Sequence, residues 1–234
     1  MLKYYSIILL FFVMNSIINA QTIDNPVVDI KSHPTLNITK IEKTPESTIF
    51  YLTLKNEVKK GFFCVNKDVF ISIPGKRIKF DMIKSEGIEN CPDMHKFNIP
   101  GQVVNFQLVF PTISDTIKTL DLVENCTDNC FSIRGIHLDK KYNEEVHNFD
   151  IGTNYYRSGN IQHALPFFLD IVNKSNFKKS KHYAYSMYII PVIYEKIGYL
   201  KDARKSFRNL LNSDIIEKEY FIGKIREIPF FKDK

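Results

Sequence analysis

Four cysteines, six histidines and the carboxylates Asp121 and Glu124 are the residues of this 234-residue chain to weigh first for chemistry. Cys91 and His95 suggest a thiol–imidazole pair, but a sulfur taken into a disulfide is no longer a nucleophile. Asp121 and Glu124 fall in a β-type run at an odd spacing, which puts them on opposite faces and spoils a general acid–base pair. His33, His95, His137, His147, His163 and His182 are scattered, and no two share one helix at metal-ligand spacing. The chain contains no Gly-x-Ser-x-Gly, no phosphate-cradling glycine loop and no His-Glu-x-x-His. These absences point to a non-catalytic protein without a cofactor.

The cysteines Cys64, Cys91, Cys126 and Cys130 are even in number, and in an exported chain such a set reads as disulfides with three possible pairings. Cys126 and Cys130 flank Thr127-Asp128-Asn129, a turn-like tripeptide that a bridge could close, which would leave Cys64 to pair with Cys91. A four-thiolate zinc site would want short, paired spacings, and the intervals here are 27, 35 and 4 residues.

Export is read from residues 1–20. Lys3 precedes an apolar run from Ile7 to Met14, Asn15 and Ser16 interrupt it, and Ala20 ends the segment. That is the layout of a secretory signal peptide cleaved between Ala20 and Gln21. The run is too short to span a bilayer, which takes about 20 apolar residues. No later segment is apolar enough to do so, and the expected location is periplasmic or secreted.

The elements that must position any site divide into two halves. From residue 21 to 139 the pattern is β: Thr48–Leu54, Val69–Ile73, Val103–Phe110, Thr119–Val123, Phe131–Ile133 and Ile136–Leu138 are short runs rich in β-branched and aromatic residues, with turn signals such as Pro74-Gly75 between them. Such strands predict an antiparallel β-sandwich, because a single sheet could not bury both apolar faces. The runs Ile83–Ile88, Phe106–Pro111 and Ile117–Glu124, with Gly135-Ile136, resemble a domain of exported Bacteroidetes proteins. Asp115-Thr116-Ile117 likewise resembles the short O-glycosylation signal of that group.

From residue 140 to 234 the period becomes helical. Tyr155, Gly159, Ala164 and Phe168 recur as Tyr194, Gly198, Ala203 and Phe207, each 39 residues on. With Ile151-Gly152 ahead of them, these positions resemble the tetratricopeptide repeat, a stack of helical hairpins. Glycine at the turn tolerates positive φ, the two alanines let helices approach closely, and the phenylalanines fill the space between hairpins. Pro166 and Pro191 fall inside the expected helices, where a proline costs about 3 kcal/mol or forces a kink. The 39-residue offset implies an enlarged linker at 174–180, and Ile215–Ile228 would supply a capping helix.

Repeat arrays of this kind bind on the side lined by the first helix of each hairpin. The resemblance places Phe149, Thr153, Tyr156 and Arg157 there from one hairpin, and Tyr185, Tyr188, Val192 and Glu195 from the next. Tyrosine and arginine are favoured at binding hot spots. The charge is uneven: residues 21–139 carry 14 basic and 15 acidic side chains, residues 140–234 carry 17 and 11. Lys201, Arg204, Lys205 and Arg208 share one side of an expected helix, read here as a solvated face rather than a nucleic-acid surface. The expectation is an exported scaffold that docks a protein or peptide in the helical groove. The alternative is a glycan- or envelope-binding module using the sandwich.

Overall fold

The structure, a computed structural model, describes residues 21–127 and 129–232; the signal peptide expected over residues 1–20 lies outside them. The β half contains β1 (Gln21–Asp24), β2 (Val28–Lys31), β3 (Leu36–Lys43), β4 (Ser47–Lys55), β5 (Phe62–Phe63), β6 (Val69–Ser72), β7 (Lys79–Asp81), β8 (Lys84–Glu86), β9 (His95–Lys96), β10 (Val103–Pro111), β11 (Thr119–Glu124) and β12 (Ser132–His137). The helical half contains α1 (Lys140–Arg157), α2 (Ile161–Lys174), α3 (Lys181–Lys196), α4 (Leu200–Leu211) and α5 (Lys218–Arg226), followed by a short 3-10 turn at Pro229–Phe231. The β-then-α order is the expected one.

Two five-stranded antiparallel sheets run in the orders β1-β3-β4-β10-β8 and β2-β12-β11-β6-β7, and a ribbon of β5 and β9 stands apart. Alternation explains the core. On β4, Thr48, Phe50, Leu52 and Leu54 point inward and are buried, and the paired β10 adds Val104, Phe106, Leu108 and Phe110. Ile71 from β6, Leu120 and Leu122 from β11, and Ile133 and Ile136 from β12 close the same core from the second sheet. Phe131–Ile133 and Ile136–Leu138, expected as two strands, are joined into the single β12. The pairing of β11 with β12 shifts register between Leu120 and Leu122. Gly135, opposite that shift, has φ of 62° and receives Asp121 as the acceptor of its N–H at 2.8 Å. The isolated carboxylates expected from the odd spacing have structural partners: Asp121 holds this bulge, and Glu124, buried, accepts from the N–H groups of Asn66 and Phe131.

The strand β3 escaped the sequence reading because a shift at Ile38/Lys40 breaks its period. Leu36 and Ile38 point inward before the shift, Ile41 and Lys43 after it. Lys43 is therefore a lysine at a core position, 5% exposed, and its ammonium pairs with the Asp115 carboxylate. The aspartate of the Asp115-Thr116-Ile117 run thus neutralises a buried charge.

The four cysteines form two disulfides, Cys64–Cys91 and Cys126–Cys130. The bridge at Cys91 removes the thiol of the Cys91/His95 pair, and thiolate zinc ligation has no sulfur left to use. Among the described residues no helix is long and apolar enough to cross a membrane.

In the helical half α1 pairs with α2 and α3 with α4 as two hairpins. Gly159 and Gly198 sit at the two turns with φ of 82° and 83°, which an L side chain rarely adopts. Gly152 faces Phe167 and Phe168, where an added Cβ would lie 3.2 Å from both side chains, so the helices meet too closely for a larger residue. Ala164, Phe168, Ala203 and Phe207 are all buried. Both α2 and α3 continue through Pro166 and Pro191, so neither proline ends its helix. The α2–α3 linker is held from beneath by Glu145 of α1, whose buried carboxylate accepts hydrogen bonds from Ser175 and Ser180. The helix expected over Ile215–Ile228 is α5, which packs on α3 and α4.

Hydrogen bonds from α1 side chains join the halves. Asn143, 3% exposed on the first turn of α1, accepts from the Val27 N–H at 2.7 Å and donates to the carbonyls of His137 and Asp139 at 2.9 and 3.0 Å. His147, one turn on, donates to the Asn25 carbonyl at 2.9 Å. Asn143→Ala strands the Val27 N–H and the His137 carbonyl, while the Asp139 carbonyl keeps its bond from the backbone N–H of residue 143 at 3.0 Å, and should destabilise the chain by about 2–3 kcal/mol. Urea denaturation followed by circular dichroism checks this; a loss below about 0.5 kcal/mol would show that the junction contributes little to stability.

Candidate functional site

Helices α1, α3 and α5 lie side by side and bring together a row of aromatic rings. Phe149 of α1 meets Tyr185 of α3 edge-on at 5.4 Å between centroids, and Tyr185 meets Tyr188 at 5.5 Å. Tyr188 stacks on Phe221 of α5 at 5.2 Å and 28°, and Tyr220 stands against Phe221 at 5.4 Å. Tyr185 and Tyr188 share a face of α3 because residues three apart are neighbours on a helix. Such ring pairs add about 0.5–1.5 kcal/mol beyond the area they bury, so the row fastens α5 to the array as well as surfacing it.

The phenol ends of this row lie within electrostatic reach of one another. Burial pushes the Tyr188 phenol up, and the neighbouring phenols of Tyr185, Tyr156 and Tyr220 push the same way while Lys224 opposes them. Tyr185 is raised for the same first reason, reinforced by Tyr156 and opposed by Arg157. Tyr185 and Tyr188 are therefore neutral hydroxyls, able to donate. Among the described residues neither hydroxyl has a protein partner. Lys196 donates to the Tyr156 hydroxyl at 3.1 Å and lies 5.1 Å from its ring centre. Arg157 is exposed and makes no ion pair among the described residues, whereas Lys224 pairs with Glu227 at 3.0 Å.

Of the eight groove residues read from the sequence, Phe149, Tyr156, Tyr185 and Tyr188 form the surface row or its edge, with Arg157 exposed beside it and Glu195 half-buried on α3. Val192 is corrected: it is 4% exposed and belongs to the core between the hairpins. The Thr153 hydroxyl is corrected too, since its oxygen is buried without a hydrogen-bond partner. Both errors have one cause. The face of a helix that meets its neighbours is wider than a single stripe, so positions at its margin turn inward. Sequence reasoning missed Tyr220, Phe221, Lys196 and Lys224. The first two were visible as aromatics in the apolar C-terminal segment, but nothing local tells which side of a capping helix faces a groove.

Lys201, Arg204, Lys205 and Arg208 are exposed on α4, opposite the buried Ala203, Phe207 and Leu210. Among the described residues no group of three histidine, cysteine or acidic side chains is placed to hold a metal ion.

His182 lies under the row, 4.8 Å from Phe149 and 6.4 Å from Tyr142 between ring centres, and its Nδ1 is buried without a partner. Burial holds its pKa below the ordinary histidine value, against the pull of Glu145 and Asp150. The folded state therefore resists protonation more than the unfolded chain does. Stability is complete above about pH 6.5 and is lost as the pH falls from there towards the lowered value. Thermal melts at pH 7.5 and 5.5 should show a drop that is smaller in His182→Phe, and equal drops would remove His182 as the cause. No protein-family model, curated protein or solved structure matches the chain, so the case for a function rests on this geometry.

Proposed function

We propose that the protein is an exported, non-catalytic interaction scaffold that docks a protein or peptide segment on the α1/α3/α5 face. The helical half is read as a tetratricopeptide-like module in which α1 and α3 are the groove-lining helices and α5 closes the array. The single observation that supports this most is the aromatic row that runs across three helices from the half-buried Phe149, Tyr185 and Tyr188 to the buried Phe221, with no partner for either tyrosine hydroxyl among the described residues. Tyrosine supplies large contact area at little conformational cost, and hydroxyls without a protein partner suit a partner's carbonyls or carboxylates. Arg157, Lys196 and Lys224 around the row favour an acidic segment over a basic one. The two disulfides agree with an oxidising compartment, and export to the periplasm or medium is part of the same reading.

The test is selection of binders from a displayed random-peptide library, followed by affinity measurement on the full chain. The selected peptides should be enriched in acidic residues. Reversing the charge of the surface with Arg157→Glu and Lys196→Glu should weaken them at least tenfold, and Tyr185→Phe with Tyr188→Phe should weaken them several-fold, both without lowering the melting temperature. These substitutions leave the ring contacts in place, so loss of binding cannot be put down to unfolding. Peptides that bind both variants as well as the parent chain would remove the groove as the docking site.

A further inference from the structure

The sandwich carries a cleft of about 910 Å³ at the end where the ribbon β5/β9 stands. Leu54, Val58, Phe62, Phe63, Met94 and Phe97 supply its apolar walls. Val58, Phe62 and Met94 are 60%, 64% and 45% exposed, unusual figures for side chains gathered around one opening. The volume is that of a small-molecule site.

The walls are fixed. Cys64–Cys91 ties the two arms of the ribbon, and Phe63 anchors it in the core against Phe106 and Phe131 at 5.9 and 6.2 Å. Asn56, 7% exposed, donates to the carbonyls of Val58 and Ile99 at 2.6 and 3.0 Å, and its own carbonyl accepts from the Gly101 N–H at 2.7 Å. Gly61 lies so close that an added Cβ would come within 2.1 Å of Asn56 Oδ1. The loop carrying Val58, Lys60 and Gly61 is thus held open by a buried amide rather than collapsed onto the apolar surface.

The polar groups decide the ligand class. A sugar site needs side-chain donors and acceptors left free to meet hydroxyls. Here Asn56, Asn66 and Glu124 are already engaged with backbone groups: Asn66 Oδ1 accepts from the Asp68 N–H, and both Glu124 oxygens accept from amides. The rest of the lining is apolar wall, the polar side chains of His33, Thr35, Thr127 and Asn129, and Lys55 and Lys60, both exposed and without an ion-pair partner among the described residues. Among the described lining residues Glu57 is the one exposed carboxylate.

We infer that this cleft binds a single-chain anionic amphiphile, with the acyl chain along Val58, Phe62 and Met94 and the anionic head on Lys55 and Lys60. Apolar burial supplies the affinity and the lysines orient the head.

Calorimetric titration of the full chain with laurate, below its micelle-forming concentration, tests the inference. Saturable one-to-one binding is expected, with none for acetate, which has the head without the chain. Lys55→Glu with Lys60→Glu should weaken laurate about tenfold, and Phe62→Asp with Val58→Asp should abolish it. Those four side chains are exposed, and an unchanged melting temperature confirms that the variants are folded. Dodecanol binding as tightly as laurate would overturn the anionic head, and laurate binding that survives Phe62→Asp with Val58→Asp would overturn the site. Absence of laurate binding, or saturable oligosaccharide binding on a glycan array lost in Phe62→Asp, would overturn the inference in favour of no ligand or a sugar. The groove substitutions Arg157→Glu and Lys196→Glu leave laurate binding unchanged if the two surfaces are separate, so failure of one reading is told apart from failure of the other.

Discussion

A buried asparagine amide sets the relation of every other part of this molecule. Asn143 satisfies one N–H and two carbonyls that come from the residue before β2, the end of β12 and the residue that caps α1. A helix N-terminus leaves its first amides without intrahelical partners, and Asp139 answers that need by accepting from Lys141 and Tyr142. Asn143 meets a different need. It closes the backbone gap where a β-strand stops and a helix starts, so the direction of α1 is fixed by hydrogen bonds and not left to a linker. His137 then packs on Tyr142 at 4.5 Å and pairs with Asp29 at 3.0 Å, extending the contact on the sheet side. Glu145, two residues further along α1, carries the same logic to the α2–α3 linker.

How much of this was legible in the sequence depended on whether a period survived. The strands β4 and β10 were readable because buried and more exposed residues alternate along all of β4 and along β10 from Val103 to Leu108, before the buried run Leu108–Phe110. The strand β3 was not, since its register shift exchanges the faces midway and puts Lys43 where an apolar residue would announce a strand. The two-residue strands β5 and β9 are too short to carry a period at all. The helical repeat was legible because its signature positions are steric: the turn glycines need positive φ, and Gly152, Ala164 and Ala203 stand at points of closest approach. Prolines gave the opposite lesson. Pro191 is buried in α3 and the helix runs through it, since packing on both sides offsets one missing N–H.

The groove and the cleft differ in legibility for a related reason. A repeat carries its own coordinate system, so the positions facing one side follow from the spacing once the spacing is seen. Of the eight expected residues, Phe149, Tyr185 and Tyr188 are in the aromatic row and Tyr156 and Arg157 are close to it, whereas Val192 is buried and the Thr153 hydroxyl is enclosed. The cleft has no such system. Leu54, Val58, Phe62, Met94 and Phe97 come from a strand end, a loop and both arms of a ribbon. Only the disulfide and the Asn56 hydrogen bonds bring them together, and neither the geometry of a loop nor its openness is encoded in local pattern.

Strand register also fixes where the two surfaces lie. Strand β2 pairs with β12 so that Val28 faces Ile136 and Lys31 faces Ile133. The Val28 end leads to Val27, His137 and the Asn143 junction; the Lys31 end leads to His33–Thr35 and the cleft. The cleft and the helical half therefore occupy opposite ends of the sandwich, roughly the length of a strand apart, on the order of 15–20 Å. No residue is shared between them, and the path from one to the other runs through hydrogen-bonded sheet and a buried amide. Sites coupled only through a rigid frame add their free energies of binding rather than altering each other. The architecture consequently sets the aromatic row and the cleft at a fixed separation. A bistable element would be needed for signalling, and the junction at Asn143, with one N–H and two carbonyls satisfied by the same side chain, offers a single closed arrangement.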